Sequence, residues 1–343
     1  MLPKVSICLP NLNNKNFLKE RLDTIQSQTF QNWELIVVDG YSDDGSWEFF
    51  QKYAKHDPRI TLFQEPPEGI YASINSCIKK AKGEYIYIAT SDDTMYPTCL
   101  EKMVEALEEF SDCEICQCRL EIIDKASQPM QNITWNKFGL AKYLGPYFYQ
   151  KHKRLAPHDG ILHFALGTVY TSLTQLLIRK RLFESIGYFK ERIGAPADFE
   201  WAMRASLLYN TIYIPETLAT WRIHDHQATQ TSNSQNFLLL LQMSYQALMF
   251  AKARELTQLE FLSFSKLSSP YRQKLIGTKL NKRNNSVTKV ITTLLLFCQY
   301  PLATIYYIYS KLFKQSVWDK GIIIWISKTL EELKISKPIS FDS

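Results

Sequence analysis

The chain has 343 residues, enough for one large α/β domain with an accessory segment and a sizeable buried core. With 45% hydrophobic and 22% charged residues it is not a disordered chain. Its net charge of +6 is too mild for a nucleic-acid binder, while 13% aromatic residues fit either a rich core or a carbohydrate binder.

The first 120 or so residues alternate strand and helix patterns. Residues 4–9 read as a short apolar strand, and 16–26 as a helix with Leu18, Leu22 and Ile25 on one face. Strands at 33–38, 60–63 and 85–89 alternate with helices at 46–55 and 70–80. Such alternation implies right-handed crossovers, an α/β fold and a mainly parallel sheet, with ligands bound beyond the carboxyl ends of the strands. Those ends are polar: Pro10-Asn11-Leu12-Asn13 after the first strand, Asp39 to Ser46 after the second, and Ser91-Asp92-Asp93 after the fourth. Carboxylates gathered at one edge repel unless a cation or hydrogen-bond donors offset them, and oxygen ligands suit Mg²⁺ or Mn²⁺. The same residues also fit turns and helix caps: Asp92 and Asp93 before the helix that follows Pro97, Asp44 or Ser46 at the start of the helix at 46–55.

Further along, Cys113, Cys116 and Cys118 lack a second Cys pair or a nearby His to complete a zinc site, so buried thiols on a strand are expected. Seven thiols without framework spacing, and an opening strand in place of a secretory segment, predict a reducing compartment for the catalytic part. Residues 128–167 read as irregular, broken by glycines and prolines, and suit an acceptor-facing region. Helices are expected at 176–186 and 199–208, a strand at 211–214 stopped by Pro215, and helices after Gln235.

The run from Val5 through Asp39 to Ser46, then Glu65, Gly69-Ile70-Tyr71, Asn75, Gly83-Glu84 and Ser91-Asp92-Asp93, resembles glycosyltransferase family 2 in order and spacing over about residues 4–225. The resemblance implies a GT-A fold, in which a nucleotide-binding α/β domain carries an acceptor subdomain. It further implies that Pro10 and Leu12 border the base, Asp39 hydrogen-bonds it, Asp92 approaches the ribose and Asp93 binds Mn²⁺ or Mg²⁺, with Asp44 and Asn75 in support. Ala197-Asp198-Phe199-Glu200-Trp201 is similar to the family segment that supplies the general base, with Asp198 at the matching position; on spacing alone Asp198 reads instead as the N-cap of the helix at 199–208. Trp221-Arg222-Ile223-His224 is similar to a segment that approaches the diphosphate or the metal, which makes His224 a candidate third ligand. Pro67 and Ala197 depart from the acidic residues common at those positions.

The implied function is inverting, metal-assisted transfer of a sugar from a nucleotide-diphosphate donor, with UDP-sugar favoured and GDP- or dTDP-sugar as alternatives. The acceptor is a hydroxyl of a glycan or lipid-linked molecule in polysaccharide or glycoconjugate biosynthesis. A non-catalytic nucleotide-sugar or glycan binder on the same fold is the alternative, against which Asp39, Asp92, Asp93 and Asp198 all stand. The expected division is a catalytic domain at 1–230, with the donor site at about 1–125 and the acceptor side at about 126–230, followed by a helical region at 235–343. Within that region, 290–310 is a 21-residue run without formal charge, about 31 Å long if helical, flanked by Lys289, Lys311 and Lys314. Basic residues on both sides fit an interfacial helix, or a re-entrant hairpin with 321–326, better than a single crossing. The expected location is the cytoplasmic face of a membrane, held peripherally.

Overall fold

A computed structural model describes residues 2–130, 139–224, 237–254, 264–281, 286–301, 304, 305, 308 and 317–341. Four parallel strands, β1 (Val5–Asn11), β2 (Trp33–Asp39), β3 (Ile60–Gln64) and β4 (Tyr85–Ile88), are joined by α1 (Lys15–Gln26), α2 (Ser46–Ala54) and α3 (Ile70–Lys80). The expected alternation is therefore observed. In β2, Leu35 and Val37 pack on the face covered by Leu18, Leu22 and Ile25 of α1, while Ile36 and Val38 pack on the face covered by Ile74 and Ile78 of α3. Burial on both faces explains why these strands read as continuous apolar runs.

The sheet continues through α4 (Cys99–Glu109), β5 (Cys113–Ile123), β6 (His152–Arg154), β7 (Leu176–Arg179), β8 (Asn210–Arg222) and β9 (Ile339–Ser340), giving nine strands in the order β3-β2-β1-β4-β7-β5-β8-β6-β9. Cys113, Cys116 and Cys118 are buried on β5, and burial pushes their thiols up from the ordinary range.

Three expectations are corrected here. The helix expected at 176–186 begins as strand: β7 is antiparallel to both β4 and β5, and only α7 (Lys180–Ile186) is helical. Leu176, Leu177 and Ile178 are completely buried, so this run carries no period by which to tell strand from helix. The strand expected to stop at Pro215 continues to Arg222, and its register against β5 shifts on either side of the Arg119–Thr217 pair, so an irregularity accommodates the proline. The supposedly irregular stretch holds a helix at Gly139–Leu144, β6, and α6 (His158–Leu166), while residues 131–138 lie outside the described ones. Gly160 does not break α6. It sits where a Cβ would come within 2.5 Å of Leu207 on α8 (Ala197–Leu208), so the two helices touch through it.

The C-terminal helices Phe237–Lys252, Ser269–Asn281 and Val317–Glu332 place Leu241, Leu248, Leu275, Ile326 and Leu330 in the same core as Phe164 of α6 and Trp201 of α8. Ile326 is completely buried there, within the continuous helix Val317–Glu332, so its side chain belongs to the core. Among the described residues no helix is long and apolar enough to cross a membrane.

Candidate active site

The carboxyl ends of β1 and β4 open into a cavity of about 630 Å³. Its remaining walls are the start of α3, the turn Leu173–Gln175 before β7, the start of α8 and the end of β8. The parallel half of the sheet, the antiparallel β7 and the helix α8 thus meet at one place.

On the β1 side, Pro10 and Leu12 line the cavity, with Leu12 half exposed. Gly40 lies between Leu12 and Pro67, and a Cβ there would meet each of them at 3.3 Å, so the backbone packs closely between the two side chains. Asp39 is completely buried behind this wall and is not among the lining residues. Its carboxylate accepts from Asn11 Nδ2 at 2.8 Å, Ser42 N at 2.9 Å and Ser42 Oγ at 2.6 Å. A carboxylate can only accept, so the Asn11 amide turns Nδ2 towards it, and its Oδ1 stays buried without a partner. Asn11 was legible only as part of a polar strand end; Asp39 dictates its orientation.

Two expected supporting residues lie outside the cavity. Asp44 accepts from Lys15 N at 2.8 Å and Ser46 N at 2.9 Å, so one carboxylate fixes the starts of α1 and α2. Asn75 reaches 114 residues along the chain to hold the backbone of Phe189, donating to its carbonyl at 2.9 Å and accepting from its N–H at 3.1 Å.

Asp92, Asp93 and His224 line the opposite wall. Asp92 Oδ2 lies 3.0 Å from His224 Nε2. Asp93 is buried, and its oxygens accept from Arg222 N at 2.7 Å and Thr90 Oγ1 at 2.6 Å. Burial and the adjacent Asp92 charge push Asp93 up to about 7. The Arg222 side chain points away from the cavity, donating to Asp92 O at 2.6 Å and Glu20 Oε2 at 2.7 Å, so it braces this wall from behind. Among the described residues no three His, Cys, Asp or Glu side chains converge on a metal position. Two do fit as neighbours in one shell, because cis ligands of an octahedral ion about 2.1 Å from the metal lie about 3.0 Å apart. His226 lies outside the described residues.

Asp198 lines the cavity from the first turn of α8 and is half-buried. The residue preceding the helix is Pro196, so Asp198 lies inside α8 and not at its cap, and its Oδ1 accepts from Phe199 N at 2.6 Å. Burial outweighs that bond and pushes the carboxyl up to about 6. Beside it, the Tyr71 hydroxyl donates to Ala195 O at 3.0 Å, tying α3 to the start of α8. Thr171, Ser172 and Leu173 also line the cavity and were missed in the sequence, because the strand that brings them there was read as helix.

Residues 6–168 match the family described as Glycosyl transferase family 2. An uncharacterized glycosyltransferase of Rickettsia typhi is 28% identical over 264 residues, which are 76% of this chain and 74% of the relative. Among solved structures, residues 1–349 of Staphylococcus aureus TarS in complex with UDP-GlcNAc superpose with a TM-score of 0.63 at 14% identity, covering 96% of this chain and 90% of that one. The mannosyltransferase PcManGT of Pyrobaculum calidifontis, in complex with GDP-Man and Mn²⁺, gives 0.53 at 16% identity over 96% of this chain and 87% of its own. At such identities the structural likeness speaks to the fold, which is GT-A. Residues 6–168 thus form a glycosyltransferase family 2 domain, and the chain is a glycosyltransferase.

Proposed function

We propose that this enzyme transfers a sugar from a nucleoside diphosphate donor, UDP-sugar in the first instance, to a hydroxyl of a glycan or lipid-linked acceptor with inversion at the anomeric carbon. The observation that carries this reading is that Asp198 and the Asp92, Asp93 and His224 group line one cavity from different elements. The base lies against Pro10 and Leu12, which border the cavity on the β1 side. UDP and GDP donors in the two structural relatives support a nucleotide in this cavity. Asp92 and His224 are the residues that would hold Mn²⁺ or Mg²⁺, with Asp93 beneath them; when bound, the ion offsets the charge on the departing diphosphate. Asp198 removes the proton from the acceptor hydroxyl as its oxygen bonds to the anomeric carbon, and the bond from that carbon to the diphosphate oxygen breaks.

The screen that tests this compares UDP-, GDP- and dTDP-sugars by thermal shift, with Mn²⁺ and with chelator. One donor is expected to raise the melting temperature only with metal, and Asp92→Asn and His224→Ala are each expected to remove that rise. A rise of equal size in chelator would end the metal assignment, and no rise with any donor would end the donor assignment.

The helix Ser286–Gln299 exposes Val290, Ile291, Leu294, Leu295 and Phe297, while Leu296 alone of its apolar residues is buried. Residues 261–318 contain nine Lys or Arg and no Asp or Glu. An anionic lipid surface is the occupant that matches both the apolar face and this charge, and peripheral attachment there brings a lipid-linked acceptor within reach of the enzyme.

A further inference from the structure

We infer that a second, smaller cavity beside the donor cavity is an acceptor subsite for an anionic group, with Arg119 and Gln175 as its binding residues. This rests on the transfer reading above and names the class of acceptor it takes. The cavity measures about 130 Å³ and lies over the middle of β5, between that strand, Phe148, Tyr213 and the helix Gly139–Leu144. Thr171 lines both cavities. The turn Leu173–Gln175 forms the partition: Leu173 faces the donor cavity, and Gln175 faces the second.

Its chemistry is one-sided. Gln175 is 2% exposed, and its Nε2 is a buried donor with no partner. Arg119 lines the same space, its Nε is likewise buried without a partner, and Nη1 reaches only Pro215 O at 3.4 Å. Among the described residues no carboxylate pairs with Arg119, and none lines the cavity. Phe148 and Tyr149 hold the guanidinium in place, their ring centres 5.1 and 5.6 Å from it. The nearby buried cation, Arg154, is already neutralised by Asp159 at 2.7 Å and adds no free charge. A fixed guanidinium and a primary amide, both with idle donors in a partly enclosed site, call for an acceptor-rich anion, since a buried donor left without a partner is destabilising. Two idle donors on residues that line one cavity have their simplest account in a ligand that pairs with both. A phosphodiester and a uronic-acid carboxylate share this chemistry, and both occur one unit from a reacting hydroxyl in anionic glycans.

Isothermal titration of the full chain with sn-glycerol 3-phosphate, glucuronate and glucose, each in the presence of UDP and Mn²⁺, tests the assignment. At least one anion is expected to bind ten-fold or more tightly than glucose. Arg119→Gln is expected to abolish that preference and Arg119→Lys to keep part of it. Preference for the phosphate ester alone identifies a phosphodiester acceptor, and preference for glucuronate alone a uronic-acid acceptor; either supports the subsite. Equal binding of all three probes, or an anion preference undiminished in both Arg119→Gln and Gln175→Leu, overturns it. UDP titrated separately into the same proteins reports on the donor cavity, so a failed donor reading and a failed subsite give different results.

Discussion

A carboxyl group near pH 6 in a half-buried pocket is suited to accept a proton at neutral pH and to pass it on to solvent. Because Asp198 must be ionised to act, transfer is expected to rise with pH through about 6 and level off above it. Asp198→Asn should lower transfer about 100-fold or more, without that limb in the residual rate. The same shift has a stability consequence of definite sign. A carboxyl whose folded value is raised adds stability at low pH that is lost as pH climbs from its ordinary value through about 6. At pH 8 the Asn variant should therefore melt no lower than the parent. Near-parental turnover in Asp198→Asn, or an unchanged acid limb, removes Asp198 from the base role. Sequence spacing alone placed Asp198 at a helix cap; Pro196 in that position decides the matter of geometry. It also could not show that Asp39 is completely buried and held by Asn11 and Ser42, because spacing carries no information about burial.

At the scale of elements, the parallel half was legible because its strands and helices differ in length and alternate strictly. The antiparallel half was not. β7 is four residues long and completely apolar until Arg179, so nothing local distinguishes it from the first turn of the helix it precedes. Gly160 illustrates the complementary error, since glycine in a sequence signals a break only when nothing in space requires its lack of a side chain. Here α8 requires it. Gly160→Ala drives a methyl into Leu207 and is expected to cost about 1–3 kcal/mol in urea unfolding. Combining it with Leu207→Ala should recover part of that loss as a non-additive coupling. Strict additivity of the two substitutions would show that the helices do not meet there.

For the molecule as a whole, the C-terminal helices serve two different surroundings. Ile326 and Leu330 belong to the main core, so shortening the chain before them is a poor test of membrane attachment. Leu294 and Leu295 are 61% and 62% exposed and are better targets. Wild-type protein is expected to float with anionic vesicles and less with neutral ones, whereas Leu294→Glu combined with Leu295→Glu should stay at the bottom of the gradient at an unchanged melting temperature. Wild-type protein that stays soluble and monodisperse beside anionic vesicles overturns the attachment. The sheet also carries a history of its own making. β4 gains its second neighbour only when residues 176–179 exist, and β6 gains one of its neighbours only with Ile339 and Ser340. During synthesis from the N-terminus, β4 therefore emerges with one row of backbone groups uncovered and waits about ninety residues for its partner. Over the same interval β5, whose neighbours are β7 and β8, has both edges uncovered, so the nascent chain is open to wrong pairing on either side of the segment that carries the Asp92-Asp93 pair.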